Sequence, residues 1–307
     1  MKMGRNEWIM LLVLSMVFGG AFFFMDVGVE TFQPMTFAWC RVSLAAVILW
    51  VIVLLRRASL PTRWQPYAAF LVLGLFNNVI PFSLIAWGQI TIDSSLSSIA
   101  NATTPLWTVL VAGALLPDER FTWLKVLGVL MGAFGVACMM GLEAFSNVSL
   151  ANVTAIGAVV LAAFSYAIGG WWGRRFHAWK IDPVVVATGQ VTAGGLIILP
   201  MVLWIDPLWA YFGTAPLEAW GAVLGIAVLS TAFAYVLFFR ILAAAGATNL
   251  SLTTFLVPIW ATLLGVSFRG DTLGATHFLG ALIIGLALVL IDGRLVPKGL
   301  RPGKPAG

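Results

Sequence analysis

Charge is what this chain has least of. Only 9% of its 307 residues are Asp, Glu, Lys or Arg, while 61% are hydrophobic. A soluble domain carries roughly 25% charged residues, so a water-soluble fold is excluded and a polytopic membrane protein is expected. Cysteine is almost missing as well. Cys40 and Cys138 both lie in apolar runs, where a thiol behaves as a small buried hydrophobe, so no disulfide or redox pair is expected. The two histidines, His177 and His277, have no cysteine or acid motif around them; no metal site and no cofactor are expected. No acidic residue lies near the middle of any long apolar run. An intramembrane aspartyl protease needs two, and a rhomboid-like protease needs an intramembrane histidine beside a serine, so an enzyme is not expected. The missing acid also removes the midplane carboxylate that proton-coupled carriers usually hold. Nothing resembles the symmetric filter or charged ring of a channel.

What is present in quantity is long apolar runs. Crossing the hydrocarbon core takes about 20 residues, and ten runs meet that length: 8–28, 34–55, 67–88, 94–116, 121–141, 152–172, 183–204, 217–239, 248–268 and 274–292. The first lacks an A-x-A cleavage pattern and is read as a helix, not a signal peptide. Taken in alternation, the connecting segments place 15 of the 17 basic residues on one side; only Arg41 and Arg269 fall elsewhere. The net charge of +5 therefore reports topology and not nucleic-acid binding. The positive-inside rule puts both termini in the cytoplasm of a multi-pass protein of the cell (inner) membrane. Its surroundings are the lipid bilayer and a small-molecule solute; the oligomeric state is open.

The run Ser94–Glu119, SSLSSIANATTPLWTVLVAGALLPDE, is studded with hydroxyls and an amide. At helical spacing Ser94, Ser97, Ser98, Asn101, Thr104, Pro105 and Thr108 share one side, which suits a helix facing a polar cavity and not lipid. Adding 153 to each number reaches Ala247–Thr272 without a gap: Ser98 meets Ser251, Asn101 meets Thr254, Pro105 meets Pro258 and Trp107 meets Trp260. The offset also pairs Asn77 and Asn78 with Ser230 and Thr231, and Phe82 with Tyr235. At an offset of 149, Pro34 and Arg41 meet Pro183 and Gln190. The chain is thus expected to be duplicated, as residues 1–146 and 147–307. Five spans is an odd number, so the second copy must be inverted. The expected fold is all-α, ten transmembrane helices in two inverted five-helix repeats around a central cavity.

The candidate cavity residues are the polar or aromatic ones at mid-span: Asn77, Asn78 and Phe82; Ser98, Asn101 and Thr104; Tyr166; Thr231 and Tyr235; and Thr254. Two readings stand for them. They join helices by hydrogen bonds, which average only about 0.6 kcal/mol in membrane proteins, or they line a hydrated cavity and contact solute. Pro81, Pro105 and Pro258 are candidate hinges or static kinks. Asp26 and Arg41 lie at similar depth near the outer side. They form an ion pair or serve coupling, or Arg41 snorkels outward, or it attracts a solute carboxylate. Asp118-Glu119-Arg120 reads as a helix end at the interface or an inner gate. Most of the tryptophans lie near span ends, where interfacial belts form.

The run L-P-D-E-R followed by G-V-L-M-G-A-F-G-V resembles the EamA domain of the drug/metabolite transporter superfamily. So do Phe18-Gly19-Gly20, Pro34 through Arg41, and Thr231 to Arg240 followed by Gly246-Ala247. NNVIPFSLIAWGQ followed by SSLSSIANATTPLWTVLVA is similar to that family's amino-acid exporters, the aromatic ones included. The second repeat departs from the pattern with Thr272 where a glutamate is common. The resemblance implies a secondary transporter exporting small metabolites, amino acids first, through a cavity lined by spans 1, 3, 4, 6, 8 and 9. Efflux of drugs or organic cations is the alternative.

Overall fold

Within a bilayer the backbone must satisfy its own hydrogen bonds, so apolar runs of this length have to be helical. The computed structural model describes residues 4–92, 94–115, 123–140, 150–205, 208–211, 213–269 and 275–292, and no strand occurs among them. Span 1 is Arg5–Val29 and span 2 Pro34–Leu55. Span 3 is Gln65–Gly88, and span 4 comprises Ser94–Asn101 and Thr104–Leu115. Span 5 is Trp123–Met140, span 6 Leu150–Ala178 and span 7 Pro183–Ile205. The stretch Leu217–Ser251 is divided at Gly246, whose φ of 84° no helix accommodates. Span 8 is therefore 217–245, and 247–251 leads into span 9, Thr253–Arg269; span 10 is Ala275–Asp292. Among the described residues, six stretches (spans 1, 2, 3, 6 and 7 and Leu217–Ser251) are each long and apolar enough to cross a membrane. Span 6 outruns its expected end at 172 because WWGRRFHA, polar at its end, carries the helix past the apolar run. Large apolar side chains such as Leu55, Phe134 and Trp204 stay exposed on the outside of the bundle, where lipid would cover them. Asp118-Glu119-Arg120 and the expected boundary at 146/147 lie outside the described residues.

The contacts come in exchanged pairs. Span 1 packs on spans 8 and 9, and span 6 packs on spans 3 and 4; span 2 packs on span 8, and span 7 on span 3. Spans 2 and 7 pack on each other, as do spans 5 and 10. Single residues repeat the exchange. Trp260 donates its indole N–H to Ser15 at 2.9 Å, while Trp107 packs its ring against Phe164 at 5.4 Å. Trp107 and Trp260 differ by 153, and Ser15 and Phe164 by 149. Because a phenyl replaces the hydroxyl, the Trp107 N–H is buried with no acceptor. Spans 5 and 10 run antiparallel, since Gly128 meets Ile291 and Gly135 meets Gly280.

Span 3 and span 8 each carry one π-helical turn, at Leu75–Val79 and Val228–Phe233, and the two start 153 residues apart. In the first, Ile80 N–H bonds to Leu75 O, five residues back instead of four. The Phe76 carbonyl then needs the N–H of residue 81, which is proline and has none. Ser165 of span 6 fills the gap, donating to Phe76 O at 2.6 Å. Pro81 also leaves Asn77 O without its α-helical donor, and the Tyr235 hydroxyl of span 8 donates to it at 2.9 Å. In the second turn Ala234 N–H goes to Leu229 O, so Ser230 O is open, and the Arg41 guanidinium of span 2 donates to it at 3.2 Å. Asn77 O and Ser230 O are equivalent positions. Each is met by a side chain from the opposite half of the chain.

Two stability predictions follow. A Cβ on Gly74 would sit 2.8 Å from Gln190 O and Gly194 N, while one on Gly157 meets nothing. Gly74→Ala should destabilise by about 1–3 kcal/mol through forced separation of spans 3 and 7. Gly157→Ala should be neutral or stabilising by up to about 1 kcal/mol. Thermal unfolding in detergent micelles checks both. Ser165→Ala should lose about 1–3 kcal/mol by stranding Phe76 O, and Ser165→Thr, which keeps the hydroxyl, should recover most of it.

Candidate functional site

The bundle encloses a cavity of about 100 Å³. Its walls come from spans 1, 3, 4, 6, 8 and 9, with Arg41 of span 2 reaching in. Of the residues expected to face solute, Asn77, Phe82, Asn101, Thr104, Tyr166, Tyr235 and Thr254 line it. Phe18, Phe22 and Met25 of span 1 and Phe238 of span 8 also line it. Sequence reasoning missed these four because an aromatic or methionine at mid-span looks the same whether it faces lipid, a neighbouring helix or a cavity. For span 1 the phenylalanine cluster beside Gly19-Gly20 was the available signal.

Asn78, Ser98 and Thr231 are buried but lie behind the cavity wall. Asn78 donates its amide to the Tyr235 hydroxyl at 3.0 Å and packs its Cβ against Gly194. It joins spans 3, 7 and 8, the helix-joining reading of the two offered. Asn77 does both jobs: it lines the cavity and donates to Gln190 Oε1 of span 7 at 3.0 Å. Gln190 is the residue that aligned with Arg41. Thr231 accepts from Arg41 Nε at 2.7 Å and donates to Ile226 O at 2.8 Å. It holds the arginine and does not line the cavity.

Arg41 does not snorkel. It is only 4% exposed, turned inward, with its guanidinium carbon 3.7 Å from the centre of the Phe82 ring. The structure also gives Asp26 a partner of its own: Gln89 donates to its carboxylate at 2.8 Å, tying the end of span 3 to span 1. The expected pairing of Asp26 with Arg41 is thus replaced by separate contacts. Geometry decides this, because the π turn of span 8 offers Arg41 a carbonyl and a hydroxyl deeper in the bundle.

The three prolines border the cavity without lining it. Pro81 follows the first π turn. Pro105 opens the second half of span 4 after a break at Ala102–Thr103, and the Thr104 hydroxyl donates at 2.6 Å to Asn101 O, the carbonyl that Pro105 releases. Pro258 lies inside span 9, where nearby hydroxyls bond back to the helix: Thr253 to Leu250 O at 2.6 Å and Thr254 to Ser251 O at 2.8 Å. Several hydroxyls of the lining are thus engaged by nearby backbone carbonyls. The Asn101 amide oxygen is buried with no donor. Among the described residues no group of three His, Cys, Asp or Glu is placed to hold a metal.

Comparison with known proteins places this architecture. The profile of the EamA-like transporter family matches the chain twice, over residues 6–141 and 153–292. An "Uncharacterized transporter" of Archaeoglobus fulgidus is 23% identical over 287 residues, 93% of this chain and 99% of its own length. The "Uncharacterized inner membrane transporter YedA" of Escherichia coli K12 is 24% identical over 299 residues, 96% of this chain and 92% of its own length. A solved crystal structure with 17% identity superposes with a TM-score of 0.76 over 94% of this chain and 96% of that one, so the two share a fold. The names point to a carrier of solutes and not to an enzyme. This chain is a multi-pass membrane protein and belongs to the EamA-like transporter family.

Proposed function

We propose that the protein is a secondary transporter that exports small metabolites, amino acids with large neutral or aromatic side chains first among them. The observation that carries this reading is the cavity itself. Both halves of the chain supply its walls, Phe18, Phe22, Phe82 and Phe238 make those walls apolar, and Asn77, Asn101 and Thr104 add a few polar groups. Such a mixture suits a solute with a sizeable apolar body and a polar head.

In this reading the two halves are inverted repeats, residues 1–146 and 147–307, with both termini in the cytoplasm and the solute held between them. The doubled family match, the exchanged contacts and the antiparallel packing of spans 5 and 10 support it. Alternating access then comes from rocking one set of spans against the other. The broken span 4 and the Gly246 junction between spans 8 and 9 are the places where a change of angle meets least resistance. Efflux of organic cations finds no support in the cavity, whose lining among the described residues holds an arginine and no carboxylate.

Uptake of labelled threonine, methionine, phenylalanine and tryptophan into proteoliposomes, with and without a pH gradient, tests the proposal. Phenylalanine and tryptophan should accumulate saturably, and Asn101→Ala should reduce kcat/KM at least tenfold in protein that still unfolds at the wild-type temperature. No uptake of any of the four by monodisperse protein would remove the amino-acid reading.

A further inference from the structure

The inference here rests on the transport reading and concerns what the cavity holds. Among the described residues that line the cavity, Arg41 alone carries charge at neutral pH. The titratable groups that act on it are Tyr166 and Tyr235, phenols that are neutral under the same conditions. Its own contacts are the Thr231 hydroxyl, the Ser230 carbonyl and the face of Phe82, none of them negatively charged. An arginine in mid-membrane costs at least about 2.5 kcal/mol on insertion scales. Even a buried charge that is paired is weak evidence of a contribution to stability. Some interaction beyond folding has to account for this one.

The duplication supplies an internal control. Gln190 stands at the equivalent place in the second half and makes the exchanged contact, with Asn77 of the π turn in span 3, at 3.0 Å. An uncharged amide therefore serves as the joint between the halves. The positive charge at Arg41 is surplus to that joint.

The shape of the guanidinium says what the surplus suits. Of its five donors, Nε goes to Thr231 and one N–H of a terminal nitrogen to Ser230. Three remain, among them an N–H on each terminal nitrogen. Two donors side by side on a planar cation match the two oxygens of a carboxylate. We propose that Arg41 is the seat of a carboxylate carried by the solute, so that the protein transports carboxylates, whether zwitterionic or anionic, and rejects the same molecules when that group is neutral. Thr231 acts as a positioning residue by holding Nε and so aiming the remaining donors.

The test uses the full-length protein in detergent micelles. Thermal unfolding is followed against increasing sodium benzoate or benzamide, with ionic strength held constant by sodium chloride. Benzoate should stabilise the wild type at concentrations at least tenfold lower than benzamide. Arg41→Gln should lose that preference, Arg41→Lys should keep only part of it, and Thr231→Val should weaken it while leaving the arginine in place. If Arg41→Gln does not fold, the wild-type preference and the Thr231→Val response decide. Equal stabilisation by the two compounds, or a benzoate preference that survives in Arg41→Gln, would overturn the proposal. Transport separates it from the broader reading. Equal uptake of phenylalanine and phenylalaninamide would remove the carboxylate seat and leave a transporter. A benzoate preference without uptake of any amino acid would leave the seat and remove the amino-acid reading.

Discussion

A carbonyl released inside a membrane helix has nowhere to turn for a partner except another part of the protein. The π turns and Pro81 release such carbonyls at mid-depth in spans 3 and 8, and the rest of the bundle is arranged to meet them. Ser165 reaches across from span 6, Tyr235 from span 8 and Arg41 from span 2. Every one of these donors belongs to the other half of the chain. The two halves of the chain, each carrying an unsatisfied turn, are thereby tied together by bonds that neither half can make alone. The same bonds fix where the cavity lies. Tyr235 and Arg41 line it because the carbonyls they serve are beside it.

The glycines of spans 3, 6 and 7 belong to the same arrangement. Gly74 lets span 3 approach the backbone of span 7, and Gly169 and Gly194 leave room for the side chains of Asn77 and Asn78. Adjacent amides can enter the helix junction only where the facing helices present no side chain. The cost of placing two asparagines at mid-depth is offset by their bonds to Gln190 and Tyr235. Their amide oxygens remain without a donor, as does that of Asn101, so this junction is among the unsettled parts of the interior.

The sequence made the polytopic helical class and the doubled pattern legible, because long apolar runs and the offset of 153 are one-dimensional signals. Seven of the ten residues expected to face solute do line the cavity, since a polar group at mid-span has few places to go. What one dimension hides is which of two adjacent polar residues faces inward. Asn77 and Asn78 are neighbours, yet one lines the cavity and the other lies behind it, a difference of one residue's step around the helix axis. The π turns themselves could not be read, because residue spacing does not reveal which carbonyl an N–H chooses. For the same reason Arg41 was given an outward escape or a partner in Asp26. Its actual partners exist only because a turn 190 residues away is wound differently. The relation of spans 1 and 6 was also hidden. Ser15 and Phe164 share no chemistry, and only their contacts with Trp260 and Trp107 reveal them as counterparts.

Duplication also sorts what is structural from what is chemical. Where the two halves keep the same contact with the same kind of atom, as at Asn77 O and Ser230 O, the contact serves the joint that both halves need. Where equivalent positions differ, the difference cannot come from the joint. Arg41 against Gln190 is one such difference, Phe82 against Tyr235 a second, and Asn101 against Thr254 a third. Five of these six residues line the cavity; the exception is Gln190. A cavity with two-fold symmetry would present the same groups to both ends of a solute. At these positions the first half contributes a cation over an aromatic ring and the second a phenol. Under the proposed transport function, these departures, more than the shared fold, are where a preference for one solute over another would arise.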